Sequence, residues 1–422
     1  MAEPQTIIEK ILGRAAGLEH VAPGQIVTCA VDMTVIIDIQ FSQAELSEVV
    51  EVHDPAKIAV VMDHAVPAPT VRDAGHGTLA REFVRKHGID RFYDIGRHGI
   101  VHQVVAEQAL ALPGTVLACA DSHTCAAGAF NTAARGLGPA EILQMVCTGK
   151  TWHRIPPTIR YELIGTRQPG VTGKDIFLAI AGRWGEATDH ALEFGGPGLA
   201  SVPMADRRTI ATQVAEIGAD FAVFPADRIC LDHVAQIAPG ARFTPQHPDE
   251  GAAYTDVRVL DLDEVEPMVA RPGTVIENAI PVSELDEVPI DQAFIGSCAN
   301  GQLADLEVAA RILDGREVAA GVRLIVTPAS QEVYLEAVRR GYVTAIVKAG
   351  AVVTNSTCGA CFGYHMGLLA PGEVCITAST RNFRGRMGST EAAVYMASPA
   401  TVAASAIAGK ITGADVREGA AS

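Results

Sequence analysis

The sequence predicts an α/β fold of three domains with mostly parallel sheets. Three observations lead there. Short β-rich apolar runs alternate with stretches of helical periodicity along the chain, the rhythm of strand–helix–strand units that favours parallel strands. The 422 residues are 48% hydrophobic and only 19% charged, which supplies large cores and argues against extended disorder. Two joints interrupt the rhythm. One is Arg154–Pro157, after which Thr158–Ile164 reads as a strand. The other is Arg271–Pro289, where Pro272, Gly273, Pro281 and Pro289 read as a linker. These joints divide the chain into 1–155, 156–285 and 286–422.

In chain order, Ile58–Met62 is a strand, and Leu79–Lys86 is a helix stopped by Gly88. Thr115–Cys119 is a strand and Glu141–Cys147 a helix. Ala293–Gly296 is a strand leading into a helix with Leu303, Leu306, Ala310 and Leu313 on one face. Val322–Val326 and Val374–Ala378 are further strands. The Ala-rich segment Ser398–Gly409 reads as a buried helix, with Ser398 as N-cap, Pro399 at the first position and Gly409 as stop. No repeat of fixed period stands out. The closing GADVREGAAS reads as a frayed tail.

The formal net charge of −16 repels phosphate backbones and anionic membranes. Neither nucleic acid nor membrane is an expected partner. No run of about 18 apolar residues suggests a membrane span, and MAEPQTIIEKILGRAAG lacks the apolar core of a signal peptide. Nine cysteines, an odd count in a long chain, fit reduced thiols in the cytoplasm better than a disulfide scaffold.

The segment Asn355-Ser-Thr-Cys-Gly-Ala-Cys-Phe-Gly363 holds a C-x-x-C pair in a turn of small residues. That spacing suits two ligands on one metal or cluster, a redox pair, or two buried thiols. Ile295-Gly-Ser-Cys-Ala-Asn-Gly301 adds Cys298 where a strand ends and a helix begins, the place where open parallel sheets collect ligands. With three cysteines, a cubane cluster would keep one iron open as a Lewis acid. A zinc-stapled scaffold is the alternative. Asp63-His64 and Ala120-Asp-Ser-His-Thr-Cys125 also follow apolar strands, and His102 lies in Gly99-Ile-Val-His-Gln103. An Asp beside a His fixes its tautomer, as acid catalysis requires, although a single such His is more often structural. Glu216, on the helical stretch Thr209–Ile217, reads equally as a solvated face. Ser379-Thr-Arg-Asn-Phe-Arg-Gly-Arg386 gathers three arginines in one loop, suited to carboxylates or simply to solvent.

Together these motifs resemble the aconitase superfamily, in particular the separate large subunits of its 3-isopropylmalate dehydratase and homoaconitase branch. The carrying segments are GIVHQVVAEQALALPG, ADSHTCAAGAF, FIGSCANGQLADL, CGACFGYHMGLLAPGEV, TRNFRGRMGS and ASPATVAASAIAGKI. The resemblance implies three α/β domains around a [4Fe–4S] cluster held by Cys298, Cys358 and Cys361. It implies catalytic carboxylate–histidine pairs from Asp63 with His64, His102 with Asp121, and His123 with Glu216, His64 being the proton donor. Arg381, Arg386, Ser122 and Thr380 are the implied substrate-binding residues. The family's general base, a serine in a Gly-Ser-Ser-Arg-like motif on a swivelling fourth domain, finds no counterpart here. The resemblance therefore implies a separate small subunit that brings it.

Some positions depart from the pattern. Ile37 stands where many relatives carry His or Gln, before the aspartate aligned with Asp38. Thr212 and Thr380 replace asparagines, and Ala299 replaces a threonine. A site that loses polar partners suits a substrate lacking the matching polar group. The expected activity is thus reversible dehydration of a 2- or 3-hydroxy dicarboxylic acid, with 3-isopropylmalate foremost. Homoaconitate, methylmalate, dimethylmalate or maleate are alternatives, as is a non-catalytic iron-sensing or RNA-binding role.

Overall fold

The computed structural model describes residues 3–42 and 45–414. The expected frayed tail lies outside the described residues from position 415 onward. The chain forms two compact units: residues 1–95, 101–165 and 187–261 make the first, and 96–100, 166–186 and 262–422 make the second.

The first unit holds a five-stranded sheet in the order Arg91–Tyr93, Ile58–Val61, Met33–Ile37, Val116–Cys119, Ala133–Gly136. Every neighbouring pair is parallel. Numbered along the chain, the strands lie 3-2-1-4-5, a doubly wound arrangement. The three central strands, MTVII, IAVV and VLAC, are buried along their whole length, which is why they read as unbroken apolar runs rather than alternating ones. The helix Val71–His87 starts two turns before the expected Leu79, capped by Thr70 and ended by Gly88 at φ 64°. Gly75 and Gly77 and the polar residues around them leave its first turns without an apolar stripe. A second parallel sheet has the order Phe221–Val223, Ala191–Gly195, Thr158–Ile164, Asp256–Asp261. The strands Ile26–Ala30 and Lys150–Arg154 pair antiparallel. The helix Ile7–Ala15 is tethered by Ile7 N, which donates to Glu193 Oε2 at 2.8 Å.

The second unit is built on a seven-stranded sheet. Five strands, Val352–Val353, Arg323–Val326, Gln292–Ile295, Val374–Thr377 and Ala393–Ala397, are parallel and again lie 3-2-1-4-5. Met268–Ala270 and Ala279–Pro281 extend the sheet antiparallel. The stretch 271–289 is therefore no plain linker: it contains an edge strand. Three residues ending on Pro281 are too short to show an alternating pattern, and proline is at home on an edge. The expected helix Ser398–Gly409 is present as Pro399–Ala408, with Ser398 as N-cap and Gly409 at φ 73°. It shares a core with Leu306, Ala310 and Leu313 of the helix Leu303–Leu313 through Val402, Ala403 and Ala406. Among the described residues no helix is long and apolar enough to cross a membrane.

Candidate functional site: a carboxylate–histidine network and a thiol–arginine cluster

In the first unit Asp63, His64, Asp121 and His123 follow carboxyl ends of parallel strands, whereas His102 lies on the helix Val101–Glu107 and Glu216 in the turn Val214–Ile217. Met33–Ile37 runs into Asp38, Ile58–Val61 into Asp63 and His64, and Val116–Cys119 into Asp121 and His123. The strand order reverses between Met33–Ile37 and Val116–Cys119, the switch point where such sheets bind ligands. Buried Asp38 accepts the backbone N–H groups of His64 at 3.0 Å and Ala65 at 2.7 Å, which fixes the Asp63-His64 turn. Asp63, fully buried, accepts Val101 N at 3.0 Å. It thereby holds the start of the helix Val101–Glu107, which carries His102.

Asp121 joins two histidines. Its Oδ1 lies 2.7 Å from His102 Nε2 and accepts His123 N at 2.8 Å. His123 Nε2 lies 2.8 Å from Glu216 Oε1. His64 places Nδ1 3.5 Å from Asp63 Oδ2 and Nε2 3.8 Å from Asp121 Oδ2. All three imidazoles are buried. The two inner carboxyls are pushed in opposite directions. Burial, together with the Asp38 and Asp121 charges, raises Asp63 above the usual carboxylate range, against the pull of His64 and the Val101 N–H. Burial also works to raise Asp121, but hydrogen bonds and charge from His102 and His123 hold it well below that range.

Glu216 reaches His123 because the turn Ser122–Phe130 packs tightly within the unit. Gly128 lies so close to Ala222 that a Cβ there would fall 1.7 Å from the carbonyl oxygen. Ser122 is exposed at the start of that turn. Thr212 is buried, and its hydroxyl donates to Arg208 O at 2.6 Å. A relay beside His102 has no counterpart among the sequence-predicted residues: Arg208 Nη2 donates to Gln103 Oε1 at 2.6 Å, and Gln103 Nε2 donates to Glu107 Oε1 at 2.6 Å. An arginine in a helix carries no signal of its own for such a contact.

In the second unit the cysteines and arginines also follow strand ends. Gln292–Ile295 leads to Cys298, Val352–Val353 to Cys358 and Cys361, and Val374–Thr377 to Thr380, Arg381 and Arg386. The switch point here lies between Gln292–Ile295 and Val374–Thr377. Ser297, just before Cys298, has φ 84°, a conformation that costs a non-glycine residue roughly 1–3 kcal/mol. Cys298 and Cys361 are buried and Cys358 is half-buried. Arg386 Nη2 stands 4.0 Å from Cys361 Sγ. Burial lowers the Arg386 pKa, but the Cys361, Cys358 and Cys298 sulfurs together raise it above its usual value. Cys361 thus faces the guanidinium directly, and Cys298 and Cys358 pack in one cluster. Thr380 is buried with Oγ1 3.9 Å from Cys361 Sγ.

Two contacts around these loops have no signal in the sequence. Fully buried Lys174 donates from Nζ to Ser379 O at 2.8 Å, bracing the arginine loop. His98 accepts Gly96 N at Nδ1, 3.2 Å, and its Nε2 meets the side-chain amide of Asn355, 3.0 Å from Nδ2 and 3.3 Å from Oδ1. Asn355 in turn leads into Cys358.

The donor set fits a thiolate-bound cluster. Three free cysteines come from two strand-end loops, Cys298 packing with Cys358 and Cys361 facing Arg386, and no disulfide joins them. Four cysteines elsewhere are held as thiols: burial pushes Cys29 up to about 11 and Cys230 up to about 12, and Cys119 and Cys375 higher still.

Doubly wound sheets with strand-end acids, histidines and cysteines describe an aconitase-type protein, and the chain belongs to the aconitase family. Residues 38–409 match the profile described as Aconitase family (aconitate hydratase). The particular relatives carry a narrower name. The chain is 63% identical to the 3-isopropylmalate dehydratase large subunit of Mycolicibacterium smegmatis, covering 97% of this chain and 96% of that protein. It is 43% identical to 3-isopropylmalate dehydratase large subunit 1 of Methanopyrus kandleri, over 97% and 98%. It is 40% identical to the large subunit of Aquifex aeolicus, over 97% of each chain. The holo-form of Thermococcus kodakaraensis aconitase X aligns over 89% of each chain at 12% identity with a TM-score of 0.47; the family assignment rests on the sequence matches.

Proposed function

We propose that this chain is the large subunit of an iron–sulfur hydro-lyase that dehydrates and rehydrates a hydroxy dicarboxylic acid, with 3-isopropylmalate as substrate. The observation that carries this reading is the 63% identity, nearly end to end, with a 3-isopropylmalate dehydratase large subunit.

In this reading Cys298, Cys358 and Cys361 hold a [4Fe–4S] cluster, which when bound supplies a Lewis-acidic iron free of cysteine for the substrate hydroxyl. His64 delivers the proton to the departing hydroxyl. Asp38 supports that role by fixing the backbone of the His64 turn. Asp121 orients His102 and His123, and Glu216 fixes the far nitrogen of His123. Arg381 and Arg386, with Ser122 and Thr380, hold the substrate carboxylates. A separate small subunit carries the swivelling domain with the general-base serine; the relatives' designation as large subunits supports this. A cytoplasmic location and a division into segments 1–155, 156–285 and 286–422 belong to the same proposal.

The test is anaerobic reconstitution of the chain with iron and sulfide, with and without its small subunit, while ultraviolet absorbance follows the unsaturated intermediate. Turnover of isopropylmalate is expected only with both chains present. Full activity of the isolated chain would overturn the partner assignment, and stoichiometric zinc without sulfide would overturn the cluster.

A further inference from the structure

Arg386 is held in an unusual way for an inward-facing arginine. Its guanidinium carbon lies 5.7 Å from the ring centroid of Phe362 and 5.7 Å from that of Phe383. One ring comes from the cysteine turn and the other from the arginine loop itself. Among the described residues no carboxylate pairs with Arg386, and its Nε is buried without a hydrogen-bond partner. Its backbone carbonyl packs closely against Gly363, next to Phe362, where a Cβ would fall 2.4 Å from it. Both rings stay partly in solvent, Phe362 38% and Phe383 45% exposed, so core packing alone does not account for their placement.

A cation can be held by an acid or by aromatic faces, and the two differ in what they leave over. A carboxylate partner occupies the N–H edge of the guanidinium and cancels its charge. Aromatic rings attract the cation through their faces and leave the charge, and the edge donors, available. We propose that Phe362 and Phe383 are positioning residues. They form an aromatic clamp that orients Arg386 without a carboxylate partner and leaves the donors other than the one facing Cys361 Sγ open for a substrate carboxylate. The clamp rests on the reading of Arg386 as a carboxylate-binding residue.

The experiment uses cluster-reconstituted enzyme with its small subunit. It compares Phe362→Leu, Phe383→Leu, the corresponding Trp variants, Arg386→Gln, and wild-type enzyme carrying progressively fluorinated phenylalanine at 362 or 383. The readouts are KM and kcat, the calorimetric Kd of an unreactive saturated dicarboxylate, and iron and sulfide content. Each Leu variant is expected to raise KM and Kd about three- to tenfold, with cluster content unchanged. Trp should restore binding, and each added fluorine should weaken it without altering ring shape. Leu variants that bind like wild type would overturn the clamp, as would fluorination without effect. If Arg386→Gln itself binds the dicarboxylate like wild type, the carboxylate reading of Arg386 fails and the clamp with it. If Arg386→Gln weakens binding and the fluorinated series does not, the clamp alone fails.

Discussion

The five-stranded sheet of the first unit and the parallel part of the seven-stranded sheet in the second share one strand order, 3-2-1-4-5, yet they stabilise charge by different means. The first surrounds its carboxylates with backbone N–H groups and imidazoles: Asp38 takes the backbone donors of Ile39, His64 and Ala65, Asp63 takes Val101 N, and Asp121 takes two histidines. The second faces its Cys361 thiol with one guanidinium, itself held by aromatic rings. The scaffold decides where strand ends gather, and the loop residues decide the chemistry. In the proposed reading one loop set positions protons and the other holds a soft metal centre beside an anion.

The sharpest way to break this contrast is to remove a thiol. Cys358→Ser is expected to abolish turnover and most of the brown colour of anaerobic protein, while the first unit's network is untouched. Visible absorbance and iron analysis check it; retained iron and sulfide would take Cys358 out of the ligand set. Asp121→Asn strikes the other side. It disturbs two histidines at once, so kcat should fall toward the upper end of about 10²–10⁴-fold with the cluster spectrum intact. The same residue makes a pH prediction. Its folded pKa lies below the unfolded value of about 3.9. Its stabilising contribution is therefore complete above that value and is lost as pH falls through the folded pKa. Thermal melts across the acid range should show wild type losing more stability than Asp121→Asn over that descent; parallel curves would contradict it. His64→Gln should lower kcat within about the same 10²–10⁴ range, again without loss of colour. A rate within about threefold of wild type would remove His64 as the acid, because general-acid contributions are far larger.

The smallest expected effect concerns the substrate's side group. Ile37 is wholly buried, and Thr212 directs its hydroxyl into its own helix. Neither offers a polar partner to a third carboxylate. Leaving such a group unpaired costs about 1–3 kcal/mol, or roughly five- to 150-fold in kcat/KM. Isopropylmalate should outcompete citrate and homocitrate by at least that ratio in the two-chain enzyme, and a preference for a tricarboxylate would reverse the assignment.

Much of this architecture is legible in the amino-acid sequence. Strands buried on both faces, such as Ile58–Val61 and Val116–Cys119, read as apolar runs, and the reactive residues sit directly after them. That placement makes Asp63, His64, Asp121, His123 and Cys298 recognisable together. The strand Ala279–Pro281 escapes because three residues carry no periodicity, and the start of Val71–His87 because glycines and polar residues erase the stripe. The shared strand order leaves no sequence repeat, since topology constrains which segments are apolar and not which side chains they use. Lys174, Arg208 and His98 are invisible for a different reason. Their roles depend on partners more than a hundred residues away, and local pattern holds no record of distant partners.

His98 belongs to a five-residue excursion, 96–100, that packs with the second unit although the chain on either side belongs to the first. Gly99 bridges to Ser330, Ile100 N donates to Ala329 O, and His98 meets Asn355, 257 residues further on. On a ribosome adding about 5–20 residues per second, that partner emerges more than ten seconds later. The excursion is thus a stitch that cannot be tied until the second unit has been made. A nascent chain arrested before Ser330 would carry 96–100 without its native pairing, a segment for protease accessibility on stalled ribosomes to detect. For the same reason no single cut separates the two units cleanly, and fragments joined as independent modules would inherit a loose thread beside His102.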